Sequence, residues 1–208
     1  MKLGGGVLAD VERFDAALAA IGAAARSRRL LIVPGGGPFA DAVRKVDRRL
    51  GLSDAAAHWM AVLAMDQYAH LITARLDGAM VVAEPREIAA ALGARHVPVL
   101  APSRWLREAD PLPHSWDVTS DSIAAWVAGR VGARRLVLVK PPGLRLSGRA
   151  EPTGFGAASP SAQGEAVDAC FRRALPAGVR TMIVPADQIE ALRSVLRDGE
   201  GAGGESIQ

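Results

Sequence analysis

Short apolar runs and stretches of helical spacing alternate along this chain. The run RLLIVP (29–34) is rich in branched apolar residues and bounded by proline and glycine, the pattern of a strand buried on both faces. Beyond it Phe39, Val43, Val46 and Leu50 recur at roughly helical spacing. Pro38 suits a first helical position, and Gly51 marks the stop. Ser53 is placed to cap a second helix over about 54–74. The same reading predicts strands at 79–84, 96–102, 134–140 and 181–185, and helices at 85–94, 121–133, near 163–175 and at 186–197. Strands alternating with helices imply an α/β fold whose mainly parallel sheet is covered on both faces.

Two segments fall outside the alternation. Residues 141–165 are rich in Pro, Gly and Ser and lack periodicity. An irregular stretch of that length in a compact domain is functional or disordered. The tail GEGAGGESIQ (199–208) reads as disordered. No repeat or boundary breaks the remainder, so 1–198 is read as a single domain.

At 208 residues the chain is long enough for one large core. Half the residues are hydrophobic and 23% are charged, as in ordinary globular proteins. The net charge is +3, and Lys2, Lys45 and Lys140 are the only lysines. The arginines are scattered, which reads as solvated surface rather than a nucleic-acid stripe. Cys170 is the sole cysteine, so no disulfide forms within one chain and a reducing compartment fits. No secretory pattern opens the sequence, and no apolar run reaches the roughly 18 residues a bilayer span needs. A cytoplasmic protein with neither nucleic-acid nor membrane partners is expected.

Two glycine clusters carry the first chemical signal. Gly35, Gly36 and Gly37 follow a predicted strand and precede a predicted helix. Open parallel sheets bind ligands beyond the carboxyl ends of their strands; glycine lets the backbone come close, and a helix N-terminus favours an anion. GGGPFA also fits the G-x-G-x-x-A pattern of dinucleotide sites. That reading wants a second strand ending in an acid about 20 residues on, whereas 54–57 reads as helix and the next strand acid is Glu84. A tight turn without a ligand is the other alternative. The earlier cluster, Gly4, Gly5 and Gly6, follows Lys2. A lysine beside an amide-lined loop can hold phosphate oxygens and offset charge during phosphoryl transfer. An accidental lysine near a mobile start is the bland alternative, and no P-loop motif occurs.

The stretch HSWDVTSDSIAAWVA (114–128) is the third signal. Asp117, Thr119, Ser120 and Asp121 crowd the start of a predicted helix. Capping accounts for part of this, but four polar groups beside His114 and Trp116 exceed what one cap requires. His58 lies in AAHWMAVLAM, apolar on nearly every face, where a structural histidine and a substrate ligand are both open readings. His114 precedes the acidic cluster in a loop. Arg44 is either solvated surface or a fork for an acceptor phosphate.

KLGGG, then LIVPGGGPFAD, then DVTSDSIAAWVA…LVLVK, in that order, resemble the amino acid kinase superfamily over about residues 1–140. PGGGPFADAVR, AAHWMAVLAMDQ and HSWDVTSDSIAAW are most similar to the kinases that phosphorylate (5-(aminomethyl)furan-3-yl)methyl phosphate in methanofuran biosynthesis. The resemblance implies a three-layer α/β/α sandwich. It implies ATP with Mg²⁺ and γ-phosphoryl transfer to a phosphate monoester, giving a diphosphate. A nucleoside monophosphate or isoprenoid phosphate acceptor, and a non-catalytic nucleotide-binding sensor, are the alternatives. Residue by residue, Lys2 resembles the phosphoryl-stabilising lysine, and Gly4 and Gly5 the loop under the transferring phosphate, with Gly6 where relatives have serine. Gly35, Gly36 and Gly37 resemble the acceptor loop, and Asp121 the acid that organises the lysine. His58, His114, Asp117 and Arg44 are assigned with the acceptor, and no residue is assigned to a metal. Lys140 runs into PPGL where relatives have Thr-Asp, and no lysine follows it. Lys140 or an arginine such as Arg145 is therefore expected to supply the second cation on the nucleotide side.

Two expectations concern the ends of this reading. Ala56, Trp59, Met60, Leu63, Met65 and Leu71 spread over more than one face of their helix, which predicts a homodimer or larger oligomer. A useful strand takes about five residues, and Met1 alone precedes Lys2. An apolar strand upstream of KLGGG is therefore expected; the other reading is that KLGG itself pairs with the sheet.

Overall fold

The structure, a computed structural model, describes residues 1–143 and 167–197. Its strands are β1 (Lys2–Leu3), β2 (Val33–Pro34), β3 (Ala79–Val82), β4 (Val97–Leu100), β5 (Arg135–Lys140) and β6 (Arg180–Pro185). Its helices are α1 (Val11–Ala25), α2 (Gly37–Leu50), α3 (Asp54–Arg75), α4 (Pro85–Gly93), α5 (Ser103–Ala109), α6 (Ser120–Arg130), α7 (Phe171–Ala174) and α8 (Ile189–Arg197).

Every described strand pairing is parallel. Four strands run in the order β2-β1-β5-β6, and β3 pairs with β4. A bridge between Ile32 and Val99 joins the two groups. Ile32 N donates to the Pro98 carbonyl at 3.0 Å, and Leu100 N to that of Ile32 at 2.9 Å. The spatial order is therefore β3-β4-β2-β1-β5-β6, with β1 near the centre.

β5 shows how the layers form. Its side chains alternate between faces, as in any strand. Val137 and Val139 join a core with Phe14, Leu18 and Ile21 of α1 and Leu192 and Val195 of α8. Leu136 and Leu138 join a second core with Ile123 and Val127 of α6, Trp105 of α5 and Phe171 of α7. α3 serves both, Val62 and Met65 in the second and Tyr68 and Ile72 in the first. The result is the expected three-layer α/β/α sandwich.

Several boundaries differ from expectation. The strand predicted at 29–34 narrows to the bridge at Ile32 and the pair Val33–Pro34. The helix predicted to 133 stops at Arg130, two residues before Gly132 turns left-handed at φ 63°. The helix predicted near 163–175 is a single turn, Phe171–Ala174, within the described residues. α1 and α5 were not anticipated. The irregular stretch from 144 on, with Arg145, and the tail 199–208 lie outside the described residues.

β1 is only two residues long, yet both flanks are bonded. Val33 N donates to the Met1 carbonyl at 2.9 Å, Gly35 N to that of Leu3 at 2.8 Å, and Gly4 N to that of Val139 at 2.8 Å. KLGG thus pairs with the sheet, and the Met1 amine donates to the Leu31 carbonyl at 2.7 Å. Burial pushes that amine down to about 5. Among the described residues no helix is long and apolar enough to cross a membrane.

Candidate active site

β1, β2 and β5 end side by side, and a cleft of about 440 Å³ opens beyond their carboxyl ends. Each strand hands the chain to a loop that lines it. β1 leads into Gly4–Gly6, β2 into the glycines before α2, and β5 ends on Lys140. The N-termini of α2 and α6 also border the cleft, through Gly36–Gly37 and Thr119–Asp121. Helix N-termini carry unpaired N–H groups and a partial positive charge, so the walls favour an anion.

The two glycine clusters pack on each other. A Cβ on Gly5 would fall 2.1 Å from Gly37 N, and one on Gly35 would fall 2.5 Å from Gly5 N. Real side chains do not reach such distances, so both loops need glycine for mutual approach whether or not a ligand is bound. Gly37 also takes φ 55°, the left-handed region that glycine enters without penalty.

At the base of the cleft Asp121 lies between two lysines. Lys2 Nζ is 3.0 Å from Oδ1, and Lys140 Nζ bonds Oδ2. All three residues are buried. The Lys2 contact is an ion pair, and among the described residues Oδ1 has no other partner. Burial alone would raise the Asp121 pKa; Lys2 and Lys140 outweigh it and hold the carboxyl below its ordinary value. Lys140 is pushed down, first by burial and then by Lys2, with Asp121 opposing. Two cations thus share one anion, and the triad by itself carries a net positive charge.

A second acid stands beside this triad. Asp168 accepts from Thr119 N at 2.9 Å, Thr119 Oγ1 at 2.7 Å, Ser122 N at 3.0 Å and Cys170 N at 3.1 Å, and also from Ser122 Oγ. Thr119 Oγ1 in turn accepts from Asp121 N at 3.3 Å. Asp168 so fixes the first turn of α6, the turn that carries Asp121.

A family model described as the amino acid kinase family matches residues 1–141. The chain belongs to the amino acid kinase family. A curated relative, the [5-(aminomethyl)furan-3-yl]methyl phosphate kinase of Methanocaldococcus jannaschii, is 28% identical over 138 residues, 66% of this chain. That match spans 63% of the relative's own length. A UMP kinase structure from Ureaplasma parvum is similar with TM-score 0.68 and 16% identity, covering 94% of this chain and 89% of that one. The uridylate kinase structure from Archaeoglobus fulgidus gives TM-score 0.59 and 15% identity, covering 92% and 94%. At these identities the structures speak for the fold.

Within this amino acid kinase fold, the cleft gathers most of the residues singled out in the sequence. Lys2, Gly4, Gly5, Gly6, Gly36, Gly37, Arg44, His58, Asp121 and Lys140 all line it. Gly35 stands just behind, against Gly5. His114 is not a lining residue. Its ring stacks on His58 with centroids 4.5 Å apart, and its Nε2 lies 2.8 Å from Asp110 Oδ1. Asp117 is exposed and outside the lining, so the structure does not bring it to the site. Lys140, expected on the nucleotide side, is bound to Asp121.

The sequence reading missed Asp168 and Asp47. Asp47 Oδ2 accepts from Trp116 Nε1 at 2.7 Å, and Oδ1 from Leu52 N at 3.0 Å. Neither acid sits in a motif. Trp116 lies 69 residues from Asp47, and Thr119 and Ser122 lie 46 to 49 residues from Asp168, so only folding brings these partners together.

Proposed function

We propose that this chain is a small-molecule kinase. It transfers the γ-phosphoryl group of ATP to a phosphate monoester of the (5-(aminomethyl)furan-3-yl)methyl phosphate type and yields a diphosphate. One observation carries the reading: the Lys2–Asp121–Lys140 triad lies at the carboxyl ends of the central strands, in a cleft that both glycine clusters help to line. In such a reaction an acceptor phosphate oxygen bonds to the γ-phosphorus, and the bond from that phosphorus to its bridging oxygen breaks. Lys2 and Lys140 set buried positive charge where negative charge gathers, and the loop amides and helix N-termini add fixed dipoles. Positioning and charge neutralisation of this kind are the main contributions a protein makes to phosphoryl transfer. Asp121 fixes both ammonium groups, so the charge is in place before the reaction begins.

The donor set fits a polyphosphate: two ammonium groups, the glycine loops and the N-terminus of α2. Among the described residues no group of three His, Cys, Asp or Glu side chains could cage a metal. Mg²⁺ commonly needs only one or two carboxylates beside substrate phosphates, and among the described residues Asp41 and Asp168 line the cleft outside the triad, Asp168 with both oxygens already accepting from the chain. When bound, Mg²⁺ supplies further neutralisation of phosphate charge.

We extend the proposal to assembly. Met60 and Leu63 of α3 are exposed, as are Val46 and Leu50 of the adjoining α2. This apolar surface fits a homodimer. Sedimentation at micromolar concentration is expected to give at least a dimer, and a clean monomer overturns this part.

The activity test is mass detection of a diphosphate after incubation with ATP, Mg²⁺ and a panel of monophosphates. The furan ester is expected to be phosphorylated in preference to nucleoside and isoprenoid monophosphates. Preference for UMP redirects the reading to nucleotide kinases. No product with any acceptor, alongside measurable ATP binding, favours a non-catalytic sensor.

A further inference from the structure

The wall opposite in kind to the triad is aromatic and apolar. Trp116 and Arg44 both line the cleft, together with Ala61, Val62, Met65 and Val118. Trp116 is anchored: its Nε1–H is committed to Asp47 at 2.7 Å. Asp47 is itself tied to the end of α2 through Leu52 N, so the ring is held to a rigid element. The Arg44 guanidinium stands over the indole at 5.1 Å from its centroid, a cation–π contact. Arg44 is also 2.7 Å from Asp41 on the same helix, a solvent-exposed ion pair.

With its only donor engaged, the indole has only aromatic surface to offer a ligand. Ala61, Val62, Met65 and Val118 offer no polar group with which to pair the edges of a nucleobase, and buried polar edges left unpaired are costly. A flat ring of low polarity suits such a wall. Arg44, beside the same ring, suits a phosphate joined to it by a short arm, since its fork matches phosphate oxygens.

We propose that Trp116, positioned by Asp47 and flanked by Arg44, is the platform that selects acceptors whose phosphate is carried on a small flat ring. This inference rests on the kinase reading and adds to it the residues that would set acceptor choice. Asp47 is a positioning residue, because it acts through the indole.

The test is calorimetric, on the full chain without nucleotide, with benzyl phosphate and methyl phosphate as probes. Wild-type protein is expected to bind benzyl phosphate about tenfold more tightly, the scale of one good ring contact. Trp116→Leu should bring the two affinities together, and Trp116→Phe should keep most of the preference. Asp47→Ala should reduce it, and Asp47→Asn, whose single amide oxygen can accept from the indole or from Leu52 N but not both, should reduce it less. A wild-type preference that survives Trp116→Leu overturns the proposal, as does a wild-type protein that does not discriminate. Should Trp116→Leu fail to fold, the Asp47 pair decides: equal preference in wild type and Asp47→Ala overturns it. The kinase reading is separable from this. Trp116-dependent preference without phosphoryl transfer removes the kinase and leaves the platform. Transfer with a Trp116-independent preference removes the platform and leaves the kinase.

Discussion

Two acids stand at the start of α6 and are used in opposite ways. Asp121 is buried between two ammonium groups. Asp168 is held by neutral donors, three backbone amides and two hydroxyls, all with the chain as partner. The first arrangement puts charge in the lining of a cleft; the second satisfies a helix end. An acid that holds cations for a ligand and an acid that holds its own fold differ less in position than in the donors they collect.

The largest expected effect separates them by activity. If Lys2 and Asp121 act mainly on the transition state, Lys2→Ala or Asp121→Asn should lower kcat on the order of 10²–10³-fold, as with loss of one oxyanion donor. ATP affinity, read by calorimetry, should change much less. Wild-type kcat in a folded Lys2→Ala protein would end the assignment.

Next comes stability. Asp168→Ala leaves amides and hydroxyls of the α6 turn unpaired and should cost about 2–3 kcal/mol in urea unfolding. A kcat loss equal to that of Asp121→Asn, with no change in unfolding midpoint, would erase the contrast between the acids.

A third measurement sharpens the comparison through Lys140. Its ammonium is held below the ordinary lysine value by burial and then by Lys2, and Asp121 opposes the shift more than Asp168 does. In an NMR titration of the Lys140 side chain, Asp121→Asn should lower the midpoint further, and Asp168→Asn should lower it less. The unfolded chain keeps this proton up to about 10.4. The folded chain gives it up earlier, so stability should rise with pH between the folded value and that limit.

The smallest expected effect lies at the far wall. His58 is held below its ordinary value by burial and then by His114, with Asp110 opposing. As pH falls below about 6.5 the unfolded chain takes this proton first. The His58 contribution to stability is therefore present above that pH and is lost as pH drops toward the folded value. Titration followed by unfolding, in wild type and His58→Gln, checks it: the mutant should lack this component.

Much of this was legible along the chain. Strands β3 to β6 announced themselves through short branched runs, and α2 and α3 through spacing, Pro38, Ser53 and Gly51. α1 had a signal that went unread. Phe14, Leu18 and Ile21 keep helical spacing, and Asp10 accepts from Arg13 N at the cap. α5, at seven residues, is too short for periodicity to mark. Asp168 follows a long stretch without pattern, and its bonds reach back 46 to 49 residues to α6. Asp47 looked like one more polar residue on an amphipathic helix, and its bond to Trp116 spans 69 residues.

The sequence by itself determined the alternation of strand and helix, the two glycine clusters and the presence of Lys2 and Asp121 in a recognisable order. Those features are local, since propensity, turn chemistry and motif spacing act over a few neighbouring residues. Only the tertiary structure decided that a two-residue strand pairs on both sides, because its hydrogen-bond partners, β2 and β5, lie far away in the chain. It likewise decided that the glycine clusters touch, that Lys140 shares Asp121 with Lys2, and that Asp117 stays outside. Each of these depends on distances between segments far apart in the chain, and those distances are set by how the layers pack around the sheet.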